Sequence, residues 1–259
     1  MFASPGAIAF QLGPLAIRWY GVLIATGVLL GTTLAHREAI RRGQDPDRLL
    51  NANVVAVLAA LAGSRLYYVV FNWEYYLANP GRIVAVWEGG LAIHGGLIAG
   101  VLAAIVYCRW AALSLPVTLD IMAPGAAIGQ AIGRWGNFFN QEAFGIPTDL
   151  PWKLYIDPAH RPAHLTGYEN FHPTFLYESL WNFLVFLTLW FGLRKRLEVR
   201  PGALTLWYLG LYSVGRFCVE SLRIDSLMLG SLRAAQVVSL VLVAVSGLGL
   251  TLIARRRVS

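Results

Sequence analysis

Charge is scarce in this sequence. Only 14% of its 259 residues are Asp, Glu, Lys or Arg, against about 25% in an ordinary soluble domain, which is too few for a water-solvated surface of normal extent. Cysteine is rarer: Cys108 and Cys218 are the only two. The topology of the apolar spans puts them toward opposite faces of the membrane, so no disulfide between them is expected, and each reads as a small core residue rather than a nucleophile. Also missing are a P-loop, an HExxH or CxxC pattern, a dinucleotide-binding glycine pattern and an internal repeat, so no metal and no cofactor is expected. Residues 1–17 hold no Lys or Arg and the basic cluster follows the first apolar span, so a cleaved signal peptide is not expected and that span should stay in the mature chain.

What is abundant is apolar. Hydrophobic residues make up 57% of the chain and the mean hydropathy is +0.56, the balance of an integral membrane protein. Crossing a hydrocarbon core of ~30 Å as helix takes about 20 residues. Seven stretches qualify: 19–36, 51–71, 91–112, 115–134, 172–193, 202–222 and 235–254. They are continuously apolar rather than alternating, which predicts helices and not a barrel. The expected fold is therefore an all-α integral membrane protein of seven transmembrane helices, forming one polytopic domain over 1–259, with a small outer loop region at 146–171.

Loop charge predicts its orientation. Arg37, Arg41, Arg42, Arg48, Arg109, Arg194, Lys195, Arg196, Arg200, Arg255, Arg256 and Arg257 fall on one side, and only Arg82, Lys153, Arg161 and Arg233 on the other. The positive-inside rule makes the first side cytoplasmic, with the N-terminus outside and the C-terminus inside. The net charge of +7 is then a topology signal and a contact with anionic lipid, and no nucleic-acid partner is implied.

Five arginines are left inside or at the edge of spans, where an ionised group is costly and points to function: Arg18, Arg65, Arg134, Arg216 and Arg223. With the topology above, nearly every other polar residue of the spans gathers at the same outer level: Tyr20, His94, His172, Tyr177, Glu178, Asn137, Asn140, Glu142, Tyr212 and Glu220. Tyr212, Arg216, Glu220 and Arg223 follow i, i+4 and i+3 steps on one helix face, where Glu220 neutralises one arginine and leaves the other free. The glycines around His94 leave backbone open for a neighbouring helix or a ligand.

Plainer readings compete. Snorkelling to the interface fits Arg18 and Arg65 as well as a site does; an aromatic belt fits Trp19, Tyr20, Tyr67 and Tyr68; a packed core histidine fits His94; a structural counter-ion fits Glu220. They fit Arg134, Asn137 and Glu142 poorly, because three strong polar groups within nine residues after an apolar helix demand partners. Guanidinium forks match phosphate oxygens, so the residues alone reach a phospholipid-binding site or a lipid-group transferase. A phospholipid transporter or flippase, and a non-catalytic lipid-binding membrane protein, are the alternatives; the first should carry midplane charges and repeats, the second has no use for His94.

The stretch 133–145, GRWGNFFNQEAFG, resembles the signature of bacterial prolipoprotein diacylglyceryl transferases, G-R-x-G-N-F-x-N-x-E-x-x-G, at every fixed position. Companion stretches follow in the family's order: IRWYG at 17–21, GSRLYYVVF at 63–71, WEGGLAIHGG at 87–96, DIMAPG at 120–125, HPTFLYES at 172–179 and VGRFCVESLRIDSL at 214–227. The resemblance runs over roughly residues 12–255 and is weakest in the 146–171 loop. It implies an enzyme of the bacterial inner membrane whose partners are phosphatidylglycerol and the signal peptide of a prolipoprotein. The sn-1,2-diacylglyceryl group would pass to the lipobox cysteine thiol, releasing glycerol 1-phosphate. By position it implies Arg134 and Arg216 as phosphate-stabilising residues, His94 as base, Asn137 and Glu142 at the head group, and Tyr20 lining the lipid site. Glu220, Arg223, Tyr212 and Asn140 would support them, and Gly145 would permit the turn out of the motif; Asp120, deeper in its span, reads as structural or as a helix-packing partner, and the length of the 146–171 loop suggests that it caps the site or receives the signal peptide.

Overall fold

A computed structural model describes residues 2–13 and 15–255; Arg256 and Arg257 of the loop-charge argument lie outside the described residues. Two short strands, β1 (Phe2–Ala3) and β2 (Ile8–Leu12), come first, and β2 pairs antiparallel with β3 (Leu15–Arg18). The helices α1 (Trp19–Arg41), α2 (Pro46–Phe71), the short α3 (Trp73–Ala78), α4 (Ile93–Trp110) and α5 (Leu115–Asn140) follow. The next segment carries β4 (Leu154–Tyr155) and β5 (Asn170–Phe171); then come α6 (Thr174–Leu187), continued by a π-helical turn over Thr188–Leu193, α7 (Ala203–Glu220), the small hairpin β6 (Met228–Leu229) and β7 (Leu232–Arg233), and α8 (Ala234–Arg255).

Six described helices are long and apolar enough to cross a membrane: α1, α2, α4, α5, α6 with its π-helical extension, and α8. All of them coincide with expected spans. The seventh expected span is α7, a helix of 18 residues that carries Arg216 and Glu220 and is not in that set. Large apolar side chains face outward along the spanning helices, among them Leu29, Leu58, Leu97 and Leu248, which water would penalise and lipid would not.

Hydropathy misplaces one helix end that matters. The fourth span was expected to stop at residue 134, but α5 runs to Asn140, so most of the polar motif is itself helical. The backbone ladder continues through it because the side chains find partners of their own, as described below. Past the helix the chain turns on left-handed residues, Gln141 (φ 52°) and Ala143 (φ 56°). Gln141 is buried, accepts from the Asp157 backbone N–H at 2.7 Å and donates its amide to the Asp157 carboxylate. These bonds hold the non-glycine positive φ that isolated residues avoid.

The chain forms two compact units, one from residues 1–34 and 119–259, the other from 35–118. In the first, α1 meets α5 so closely that a Cβ on Gly31 would sit 2.8 Å from the Gly125 carbonyl oxygen, the small-residue contact that lets apolar helices associate in lipid. Asp120 near the start of α5 accepts from the backbone N–H groups of Gly202 and Thr205 and from the Thr205 hydroxyl, each at 2.7 Å. It thus satisfies orphan donors at the first turn of α7, the structural part expected of it. The 146–171 loop is ordered: β4 pairs parallel with β1 and antiparallel with β5, over a core of Phe138, Phe144, Leu154, Ile156, Phe171 and Phe175.

In the second unit, α2 and α4 pack through glycine. A Cβ on Gly95 would come within 2.3 Å of both the Gly63 carbonyl oxygen and the Tyr67 side chain. Of the two uses considered for the glycines beside His94, the structure has the neighbouring helix. Arg65 is buried and donates to the carbonyls of Arg82, Ile83, Gly89 and Gly90. It does not snorkel; it staples the segment ahead of α4 to α2.

Candidate functional site

Three ends of the first unit bring the chemistry together. Glu178 lies in the first turns of α6, is 4% exposed, and receives arginines from two other helices. Arg134, near the end of α5, places Nη2 2.6 Å from Glu178 Oε2, and Arg216, near the end of α7, donates from Nη1 to Glu178 Oε1 at 2.8 Å. One turn further, Glu220 Oε2 sits 2.6 Å from Arg216 Nη2. Arg223 lies just beyond α7, with Nη1 3.6 Å from Glu178 Oε1 and Nε 3.9 Å from Glu220 Oε2.

Neither arginine of this face is the free one that the helix spacing suggested, since Arg216 pairs with Glu220 and Arg223 with Asp225. α7 stops at Glu220, and the released turn lets Arg223 form a fork with Asp225, Nε to Oδ1 at 2.9 Å and Nη2 to Oδ2 at 2.7 Å. Burial pushes the Asp225 carboxyl upward, but the Arg223 hydrogen bonds and charge outweigh it and hold that carboxyl below its ordinary range. The freer guanidinium is that of Arg134. Its side chain is 25% exposed, and among the described residues Glu178 is its one ion-pair partner.

The rest of the motif builds the wall behind Arg134. Asn137 and Asn140 both donate their side-chain amides to Glu142 Oε1, at 2.9 and 3.3 Å, so the exposed Glu142 ties the last turn of α5 to the chain leaving it. Tyr20, at the start of α1, lies against Gly136, where any Cβ would fall 2.3 Å from its ring. Trp19 stacks on Phe139 with centroids 4.9 Å apart. Trp135 donates to the Ser179 hydroxyl at 3.1 Å, which itself donates to the Ala131 carbonyl.

Gly145 works differently from the expectation. Its φ is not positive; the turn is made by Gln141 and Ala143. What glycine supplies is room: a Cβ there would meet the His172 Cβ at 2.8 Å and the Leu222 carbonyl oxygen at 3.0 Å. Gly145 donates to the His172 carbonyl at 3.0 Å, and Ile146 to the Leu222 carbonyl at 2.8 Å. The segment leaving the motif is thus laid directly along the chain carrying Arg223. Tyr212 stacks with Tyr208 one turn below Arg216.

The sequence from residue 7 to residue 253 matches the family model for prolipoprotein diacylglyceryl transferase. The chain is also 52% identical to a protein of Synechococcus elongatus named phosphatidylglycerol--prolipoprotein diacylglyceryl transferase, over 96% of this chain and 88% of that one. Proteins of the same name from Nostoc sp. and Synechocystis sp. are each 50% identical over 96% of this chain, covering 90% and 89% of their own lengths. This chain belongs to the prolipoprotein diacylglyceryl transferase family. It is a transferase and a multi-pass membrane protein.

Within that family frame, the first unit brings together Arg134, Arg216, Glu220 and Arg223 in one ion-paired cluster, with Asn137, Asn140, Glu142, Gly145 and Tyr20 in the wall that carries it. His94 belongs to the second unit, at the first turn of α4, where it is exposed and faces the Tyr67 ring at 6.2 Å between centroids. Glu178 is the residue sequence reasoning undervalued. It was visible as one more polar group at the outer level, but nothing in its spacing along the chain relates it to Arg134 or Arg216, which are 44 and 38 positions away. A carboxylate inside the apolar run FLYESLWNF was the available signal, since a charge there needs a partner from elsewhere.

Proposed function

We infer that this transferase moves the sn-1,2-diacylglyceryl group of phosphatidylglycerol to the lipobox cysteine thiol of a prolipoprotein. The observation that carries the reading is the pair Arg134 and Arg216, held on the two oxygens of one buried carboxylate, with the Arg134 side chain 25% exposed. A phosphodiester head group is the local anion that matches such a pair. The thiol sulfur forms a bond to the glyceryl carbon that bears the phosphate, the carbon–oxygen bond breaks, and the oxygen leaves with its electrons on glycerol 1-phosphate. Arg134 and Arg216 stabilise the charge that grows on that oxygen, an effect worth roughly 10²–10³ in rate per donor at comparable sites.

His94 is proposed as the group that accepts the thiol proton, on the family resemblance alone. Glu142, Asn137 and Asn140 set the position of Arg134 by knitting the end of α5 to the chain beyond it, and Tyr20 on Gly136 offers an apolar surface for lipid. The 146–171 segment, whose Leu154, Ile156 and Phe171 share a core with Phe138 and Phe175, is proposed to receive the signal peptide.

The proposed setting is the bacterial inner membrane, with α7 as a seventh span, the N-terminus outside, the C-terminus cytoplasmic and the arginine cluster toward the outer leaflet. Two features support it. Arg194, Lys195, Arg196 and Arg200 lie between the last turn of the α6 segment and the first turn of α7, at the helix ends opposite to Glu178 and Arg216, and α7 buries its charges in ion pairs instead of offering them to lipid.

The experiment is direct: purified protein is incubated with phosphatidylglycerol and a lipobox peptide. A mass increase of one diacylglyceryl group on the peptide cysteine, with glycerol 1-phosphate released, is the expected result. Lipid binding without that mass shift would reject the transfer.

A further inference from the structure

The ion-paired cluster around Glu178 is balanced. Its cations are Arg134, Arg216 and Arg223, and its anions are Glu178, Glu220 and Asp225. Arginines placed only to attract phosphate would be expected to leave a surplus of positive charge. Here the carboxylate in the middle, Glu178, reaches both Arg134 and Arg216 at 2.6 and 2.8 Å, the distances at which a phosphate oxygen would bind the same groups. It is almost fully buried, so solvent screens it little.

Product chemistry gives that arrangement a purpose. The phosphodiester substrate carries one negative charge, whereas a phosphate monoester carries about 1.5 to 2 at neutral pH. Any site of surplus positive charge therefore holds the product more tightly than the substrate. Release would then limit turnover, as it does in many enzymes.

We propose that Glu178 is a positioning residue that sets the charge of the Arg134–Arg216 pair so that the phosphate monoester leaves after transfer. It acts through the two arginines, spacing their guanidinium groups and competing with the product for them. The inference rests on the reading of Arg134 and Arg216 as the phosphate site.

The test uses the full chain with phosphatidylglycerol and lipobox peptide, and glycerol 1-phosphate as added inhibitor. Glu178→Gln keeps the side-chain shape and adds one unit of positive charge to the cluster. The inhibition constant of glycerol 1-phosphate should fall by about tenfold or more, since one unit charge at such distances exceeds the equivalent energy. Steady-state kcat should fall while the rate of a single turnover falls much less. Glu178→Asp, which keeps the charge, should return the inhibition constant to within about twofold of the unmodified protein.

A purely structural Glu178 would lower thermal stability and the active fraction without tightening product binding, so an unchanged or weaker inhibition constant in Glu178→Gln overturns the proposal. Should that variant fail to fold, the unmodified protein still decides. It should bind glycerol 1-phosphate within about threefold of the diester glycerophosphoglycerol, and a preference for the monoester of about tenfold or more overturns the proposal. If Arg134→Ala and Arg216→Ala leave inhibition by glycerol 1-phosphate unaltered, the phosphate-site reading itself has failed. If they abolish it while Glu178→Gln changes nothing, only the role of Glu178 has.

Discussion

Arg134 Nη2 lies 2.6 Å from Glu178 Oε2, and that contact joins the end of α5 to the beginning of α6. Arg216 reaches the same carboxylate from α7, so three helices meet on one side chain. Arg134→Ala and Arg216→Ala should each reduce diacylglyceryl transfer by at least about 10²-fold. Lysine at either position should recover little, because an ammonium group cannot reproduce the paired geometry. Each variant leaves Glu178 with other arginine contacts, so both should still fold; near-normal turnover in either removes that residue from phosphate stabilisation.

His94→Gln tests the base separately. A general base contributes about 10²–10⁴ in rate, so transfer to a thiol peptide should fall by that order while lipid binding is retained. Full activity in the glutamine variant excludes His94 as the base.

Two glycines should tolerate no side chain, for steric reasons. Gly136→Ala must displace the Tyr20 ring and Gly145→Ala must push apart the His172 side chain and the Leu222 carbonyl. Overpacking of this kind costs roughly 1–3 kcal/mol, readable as a lower thermal midpoint in detergent. Activity should fall further than stability, since both shifts move the chain that positions Arg134 or Arg223. Unaltered midpoints would mean the close approaches relax without cost.

Asp225 gives a pH dependence of defined sign. Its carboxyl is held low in the folded protein by Arg223, so its contribution to stability is complete above the unfolded carboxylate range and is lost as pH falls through the folded value. Acid should therefore lower the thermal midpoint, and Asp225→Asn should flatten the acidic limb. Because Asp225 is about half exposed, the change should be modest. An acid limb as steep in the asparagine variant assigns it to other carboxylates.

The 146–171 segment should behave as folded structure. Ile156 and Phe171 are completely buried, and truncating either to alanine should cost about 2–5 kcal/mol. Deleting residues 148–169 should abolish transfer to the lipobox peptide; transfer at the normal rate after deletion would reject a role in receiving the peptide.

Much of this molecule could be read from the chain because hydrophobic length and periodicity are local properties. Span positions followed from the thickness of a hydrocarbon core, and the polar motif at 133–145 stood out because charge in an apolar run demands partners. The i, i+4 relation of Arg216 and Glu220 was equally legible, since one helix carries both. Where α5 ended was not, because hydropathy stops at Arg134 while backbone hydrogen bonding continues to Asn140. Tertiary structure alone decided the partners: Glu178 for two arginines, Asp225 for Arg223, His172 and Leu222 for Gly145, and four backbone carbonyls for Arg65. The physical reason is the same in each case. Burying a charge requires that something meet it, a requirement visible in sequence, but which group meets it depends on how distant helices are laid side by side.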